Sequence, residues 1–288
     1  MFLRGRSRLL VSVLPMVMLV SCGPSTGSAT TTTASPTTTA TAAPTTTAAP
    51  TTTTTIPVLA ELEVLWPVEG FVTTESEVLV NGVTSPGATV TVNGEEAAIN
   101  SEGDPTYFDR SITLTAGDNE ISVVASAPGA TPAQMVVTVH YVPDAALEFA
   151  FMDRVTADEI VADYAQFLTG QQAIDAAVED GVTTPEEGVP NDYYIRNVNT
   201  QLRTLPLSPD VVVILSTSAL GAVGEIRVPM DDWLVLFHED GTPYDPSREE
   251  LPPLEEPHFG FFGAGGGAPY WLTIDGDQVI QIRQQYLP

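Results

Sequence analysis

The stretch "VNGVTSPGATVTVNGEEAAI", residues 80–99, decides the fold of the first half of the chain. Val90 and Val92 alternate with threonines, a period of two that sets one face of a strand against a core. Asn93-Gly94 follows at once, and these are residues that tolerate the positive φ a two-residue type I′ hairpin needs at both central positions. Ser85-Pro86-Gly87 and, further on, Ala116-Gly117-Asp118-Asn119 mark other turns. The same alternation recurs at Val78 and Val80, Ile112 and Leu114, Ile121 and Val123, and Met135, Val137, Val139 and Tyr141. About seven short strands between residues 58 and 142 make a β-sandwich.

Residues 80–99, followed by "SITLTAGDNEISVVASAPG" at 111–129, resemble the bacterial immunoglobulin-like module named after the accessory B domain of glucodextranase. The resemblance implies a spacer or accessory fold beside other domains. The cysteine pair and central tryptophan of antibody-type domains are missing. Trp66, in "LEVLWPVEG", sits near the first strand and reads as core packing rather than as a sugar platform, since large aromatics are mostly buried. The module is expected to fold by itself.

From residue 145 the pattern changes. "LEFAFMDRV" and "EIVADY" read as a hairpin around Thr156-Ala157-Asp158, and "TGQQAIDAAVEDG" as a helix over 170–180. Thr169 and Gln172 have capping-box spacing, Ala173, Ile174, Ala177 and Val178 form an apolar stripe, and Gly181 is the stop. "DYYIRNV", "LRTLPL", "DVVVILS" and "GEIRVP" read as four strands, "MDDWLVLF" as a short helix, and the C-terminal stretch as a hairpin turning at Asp275-Gly276. The expected fold is mainly β: an immunoglobulin-like sandwich, then a small, mostly antiparallel barrel or curled sheet with one or two helices. "FLTGQQAIDAAVEDG", "DYYIRNVNTQLRTLPLSPD" and "YWLTIDGDQVIQIRQQYLP" are similar to a domain of exported actinobacterial proteins, a resemblance that implies secretion and says nothing of activity.

The N-terminal residues point the same way. Arg4, Arg6 and Arg8 precede the apolar run Leu9–Val20, which has the length of a signal-peptide core. Leu19-Val20-Ser21-Cys22 resembles the bacterial lipobox, which implies that residues 1–21 are a signal peptide and that Cys22 is acylated and becomes the mature N-terminus. Cys22 is the one cysteine of the chain, so an exported form has no thiol left for a disulfide, a CxxC metal site or a cysteine nucleophile. Residues 22–57 are almost entirely Thr, Ala, Pro and Ser and are expected to be a disordered stalk, either O-glycosylated or bare. The expected location is the outer face of the cell membrane, held by lipid.

The chain carries 10 Lys+Arg, all arginine, against 37 Asp+Glu, a net charge of −27. Such a field repels nucleic acid and anionic polymers and leaves neutral glycans, proteins and cations as partners. Chemistry is sparse. Ser216 and Ser218 in "LSTSALG" lack a nucleophile-elbow setting, and His140, His238 and His258 are far apart in sequence. His238, Glu239, Asp240, Glu255, Glu256 and His258 are metal-ligand types at no recognised spacing. No cofactor is expected; calcium is the one ion the oxygen-rich surface could take, although no EF-hand loop is present. Tyr193, Tyr194, Arg196, Asn197 and Arg203 cluster in sequence, and read as tyrosines packed on a sheet beside arginines paired with acids.

The long segment 240–269, "DGTPYDPSREELPPLEEPHFGFFGAGGGAP", is the strongest partner-binding candidate. Phe259, Phe261 and Phe262, followed by Tyr270 and Trp271, would be apolar anchors with the acids as a rim; alternatively the phenylalanines fold back onto the barrel. The leading expectation is a non-catalytic, lipid-anchored surface protein that presents its C-terminal domain to an envelope protein or glycan. The other is a secreted hydrolase of envelope polysaccharide or peptide.

Overall fold

The computed structural model describes residues 58–101, 105–217, 224–244 and 268–287. The first part is a sandwich of nine strands: β1 (Leu62–Trp66), β2 (Phe71–Thr73), β3 (Glu77–Thr84), β4 (Thr89–Val92), β5 (Glu95–Glu96), β6 (Ala98–Asn100), β7 (Thr106–Thr113), β8 (Gly117–Ser126) and β9 (Ala133–Tyr141). One sheet runs β1-β3-β7-β6 and the other β2-β9-β8-β4-β5. The alternating valines fill the space between them: Val80, Val90, Val92, Ile121, Val123 and Val139 are fully buried. Met135, at the outer end of β9, stays exposed. Asn93 and Gly94 both have positive φ, 50° and 82°, and turn β4 into β5 as their chemistry requires. In β3, Gly82 faces Val64 on one side and Phe108 on the other. A Cβ there would lie 2.0 Å from the Glu63 carbonyl and 2.6 Å from the Phe108 ring, so the glycine is sterically required.

The second part has seven strands and two helices: β10 (Ala146–Val155), β11 (Glu159–Thr169), α1 (Gly170–Glu179), β12 (Tyr193–Arg196), β13 (Leu202–Thr217), β14 (Gly224–Val228), α2 (Met230–Leu234), β15 (Pro269–Asp275) and β16 (Gln278–Gln284). Neighbours run β12-β11-β10-β15-β16-β13-β14, and an additional β11–β13 pairing closes five of these strands into a barrel. The seam between β13 and β16 is parallel; the other four pairings of the ring are antiparallel. Ala150, Met152, Ile160, Ala162, Leu207, Val213, Leu215, Tyr270, Leu272 and Ile282 fill the barrel, joined by Trp233, Leu236 and Phe237 from α2 and the turn after it.

Two local readings are corrected. "LRTLPL" and "DVVVILS" are one 16-residue strand, β13, carrying an irregularity between Leu207 and Val212. Pro209 lies within this break, where a missing N–H is tolerated, whereas Pro206 is still in the ladder, opposite Glu159 of β11. Thr169 caps α1 without any side-chain hydrogen bond, because it is also the last residue of β11, paired with Tyr193. Gly170, with φ 57°, makes the bend instead. The stop at Gly181 follows the Schellman pattern: Gly181 N–H donates to the Val178 carbonyl and Val182 N–H to that of Ala177.

Sandwich and barrel meet in buried contact. Val212 and Ile214, on the outer side of β13, belong to the sandwich core, with Ile280 packed against it. β2 is an edge strand, and its Val72 is capped by the side chain of Gln281: Val72 N–H donates to Oε1 at 2.8 Å, and Nε2 donates to the Val72 carbonyl at 2.8 Å. One amide thereby replaces a missing strand. Gln281→Met keeps the volume and strands both backbone groups, so it is expected to cost about 2–3 kcal/mol of stability. Denaturation followed by circular dichroism and tryptophan fluorescence checks this; an unchanged midpoint would show that water replaces the amide.

Candidate functional site

Of the proposed partner-binding residues, Phe259, Phe261 and Phe262 lie outside the described residues, as does Cys22. Tyr270 is not available to a partner. It points into the barrel with 1% exposure, its ring 5.7 Å from that of Trp233, because β15 alternates and its even-numbered residues Tyr270, Leu272 and Ile274 face inward. Trp271 therefore stands on the outer face, half-buried, its indole N–H donating to Gln285 Oε1 at 2.9 Å.

Around Trp271 the barrel assembles a row of rings. In register, Trp271 is opposite Phe149 on β10 and opposite Arg283 on β16. Phe149 packs edge-on against Trp271 at 5.0 Å and lies 5.2 Å from Phe167 of β11, which stacks on Tyr193 of β12 at 5.4 Å. Phe151 adds a flank, 6.2 Å from Phe149. Phe149 is buried, and the other rings are half-exposed. Past Trp271, the Arg283 guanidinium is gripped by both Glu225 oxygens at 2.8 and 3.0 Å and lies over the Trp66 ring at 4.9 Å. Trp66 in turn packs on Phe71 at 4.4 Å. The row thus crosses four strands of the barrel domain and continues through Arg283 to the sandwich. Phe149 and Phe167 were not singled out in the sequence, since an aromatic in an alternating strand is ordinarily core. Only the cross-strand register aligns them with Trp271 and Tyr193.

The polar residues near Tyr193 are tied to one another. Arg196 donates to Asp180 at 2.7 Å and pairs with Glu179 at 3.1 Å, and the Tyr194 hydroxyl donates to Asp180 at 3.1 Å. Hydrogen bonds, to Asp180 first and Glu179 second, raise the Arg196 pKa further and keep it charged. Desolvation, then the bond to Asp180, raises that of Tyr194. Asn197 donates to Asp163 at 2.7 Å, and Arg203 lies over the Tyr164 ring at 4.3 Å. α1 covers β11 and β12 through Ala173, Ala176 and Ala177, a stripe turned from the expected one so that Ile174 and Val178 are only half-buried.

For the hydrolytic and metal readings, Ser216 is 1% exposed in β13, with its backbone N–H donating to Gln284. His140 Nδ1 contacts Asp118 at 2.6 Å on the sandwich, and His238 lies 3.9 Å from the Tyr244 ring on the barrel domain. Ser218, Glu255, Glu256 and His258 lie outside the described residues. Among the described residues, no group of three or more His, Cys, Asp or Glu is arranged to hold a metal ion, and no helix is long and apolar enough to cross a membrane.

Residues 60–142 match the family described as Glucodextranase, domain B, which agrees with the two-sheet sandwich and with the resemblance carried by 80–129. The immunoglobulin-like assignment of this domain stands on both. Among curated proteins, none matches the chain.

The buried Tyr270 makes a measurable difference at high pH. Burial raises its pKa from 10.0 to about 12, the neighbouring Trp233 N–H offsetting only part of the shift. Neither its hydroxyl nor that N–H has a hydrogen-bond partner of normal geometry among the described residues. Below pH 10 the group contributes its full stability; from pH 10 to about 12 the unfolded chain ionises while the folded chain does not, so stability falls. The two-unit gap amounts to about 2–3 kcal/mol. Tyr270→Phe is expected to fold normally at pH 7 and to lose this alkaline slope, as read from denaturation midpoints between pH 9 and 12.

Proposed function

We propose that the chain is a lipid-anchored, outward-facing, non-catalytic protein whose barrel presents the Tyr193–Phe167–Phe149–Trp271 face to an envelope protein or glycan. The observation that carries this reading is the row itself. Its rings are carried by paired strands and packed on one another, so little conformational freedom remains to be lost on contact. Aromatic rings of this kind supply contact area with few rotatable bonds. Phe259, Phe261 and Phe262, which lie outside the described residues, are proposed as further apolar contacts for the same partner. The Leu19–Cys22 motif and the Thr/Ala/Pro tract support the anchor and the stalk, and the sandwich, in buried contact with the barrel, serves as the accessory module beneath it. An acid-rich surface suits neutral or cationic partners.

Two experiments test the reading. Cys22→Ala is expected to shift the protein from the membrane fraction to the medium, with fatty-acid label on the wild type alone; retention of the variant together with an unlabelled wild type would overturn the anchor. Trp271→Ala, once shown to be folded, is expected to weaken capture of isolated envelope glycans or envelope proteins about tenfold or more, as truncation of a central aromatic does. Undiminished capture would mean that this face is not the presenting surface.

A further inference from the structure

β2 is three residues long and stands at the edge of its sheet, yet all three of its side chains are buried. Successive side chains of a strand point to opposite faces, so an edge strand of a free sandwich shows one face to water. Here the barrel supplies the cover. Val212 and Ile214 of β13 are buried in the sandwich core together with Phe71 and Val72, and Gln281 closes the backbone edge at Val72. Polar groups tie the same two halves around this seam. The Arg227 guanidinium donates to the Glu69 carbonyl at 3.2 Å, and the Glu69 carboxylate accepts the Thr138 N–H at 2.8 Å, so one residue links β14 to β9. Arg283 lies over both Trp66 and Phe71, at 4.9 and 5.8 Å from the ring centres.

The connection between the halves has no slack. Four residues, 142–145, separate β9 from β10; the Val142 N–H donates to the Thr73 carbonyl at 2.9 Å and the Ala145 N–H to the Val142 carbonyl at 3.2 Å. At the other end of the sandwich the entering chain is tied as well, the Thr131 N–H donating to the Val58 carbonyl at 2.8 Å and the Ala60 N–H to the Thr131 carbonyl at 2.9 Å. A domain well under about 100 residues leaves much of its surface unburied and is marginal by itself. Without the barrel, this sandwich would lose Val212, Ile214 and Ile280 from its core and leave the Val72 N–H and carbonyl unpaired. The barrel would in turn expose two apolar side chains in its longest strand.

We propose that sandwich and barrel are one cooperative folding unit, in which the sandwich is a fixed mount for the barrel and opening of either half opens the other. In consequence the outer barrel face keeps one orientation relative to residue 58, where the chain enters the sandwich. This departs from the expectation that the module folds by itself, and it holds whatever the partner of the aromatic row.

The test is native-state hydrogen exchange on the full chain in detergent, under conditions where exchange follows the opening equilibrium. Two substitutions are placed away from the seam. Val90→Ala truncates a buried side chain of β4, which β9 and β8 separate from β2; Met152→Ala truncates one of β10, which β15 separates from β16 and β11 from β13. Each is expected to speed the slowest-exchanging amides of both β8 and β15 by the same factor, about tenfold or more. Acceleration confined to the half that carries the substitution, or several times larger there, would overturn the proposal. If Met152→Ala unfolds the barrel outright, loss of protection in β8 bears the proposal out and retained protection overturns it.

Discussion

β13 is shared by both hydrophobic cores. Its odd-numbered residues Leu205, Leu207, Val213 and Leu215 face the barrel interior, and its even-numbered residues Val212 and Ile214 face the base of the sandwich. The strand also closes the barrel, pairing with β11 in its first half and with β16 and β14 in its second. Apolar area is therefore removed from water on both faces of one strand, as in a buried parallel sheet, which explains the unbroken run Val211–Leu215. The Gln281–Val72 pairing depends on this seating, since β16 is held beside β13 and brings its amide to the sandwich edge.

The same constraint aligns the outer face. Once β10, β15 and β16 are fixed in register by barrel closure, Phe149, Trp271 and Arg283 fall in one line across them. Arg283 then serves two elements, paired with Glu225 of β14 and lying over Trp66 of the sandwich. Other described arginines are engaged in a similar way: Arg110 with Glu95, Arg196 with Asp180 and Glu179, Arg203 on Tyr164, and Arg227 on the Glu69 carbonyl. These five described arginines are thus absorbed at structural joints, in a chain with 10 Lys+Arg against 37 Asp+Glu.

Much of the strand pattern was open to reading because its causes are local. Period-two valines, the Asn93-Gly94 turn, the helix stop at Gly181 and the short helix after Pro229 each follow from the conformational preferences of a few neighbouring residues. Where a long-range partner imposed the geometry, local reading failed. Thr169 looked like a cap, yet pairing with Tyr193 holds it as strand; "LRTLPL" and "DVVVILS" looked separate, yet β11 and β16 on either side keep them one strand. Tyr270 and Trp271 looked alike as exposed anchors, and alternation within β15 sends one to each face.

The sequence by itself determined an acidic, lysine-free chain, an immunoglobulin-like sandwich over residues 58–142, which the family match covers from 60 to 142, and a β-rich second part with one or two helices. These depend on composition, period and turn chemistry, which are properties of short segments. Tertiary structure alone decided that the second sheet closes on itself, that its outer face meets the sandwich through Gln281 and Arg283, and that Phe149, Phe167, Tyr193 and Trp271, separated by up to 122 positions in the chain, become one row. Cross-strand register is set by which strands pair and where they slip, and nothing within a single strand encodes it.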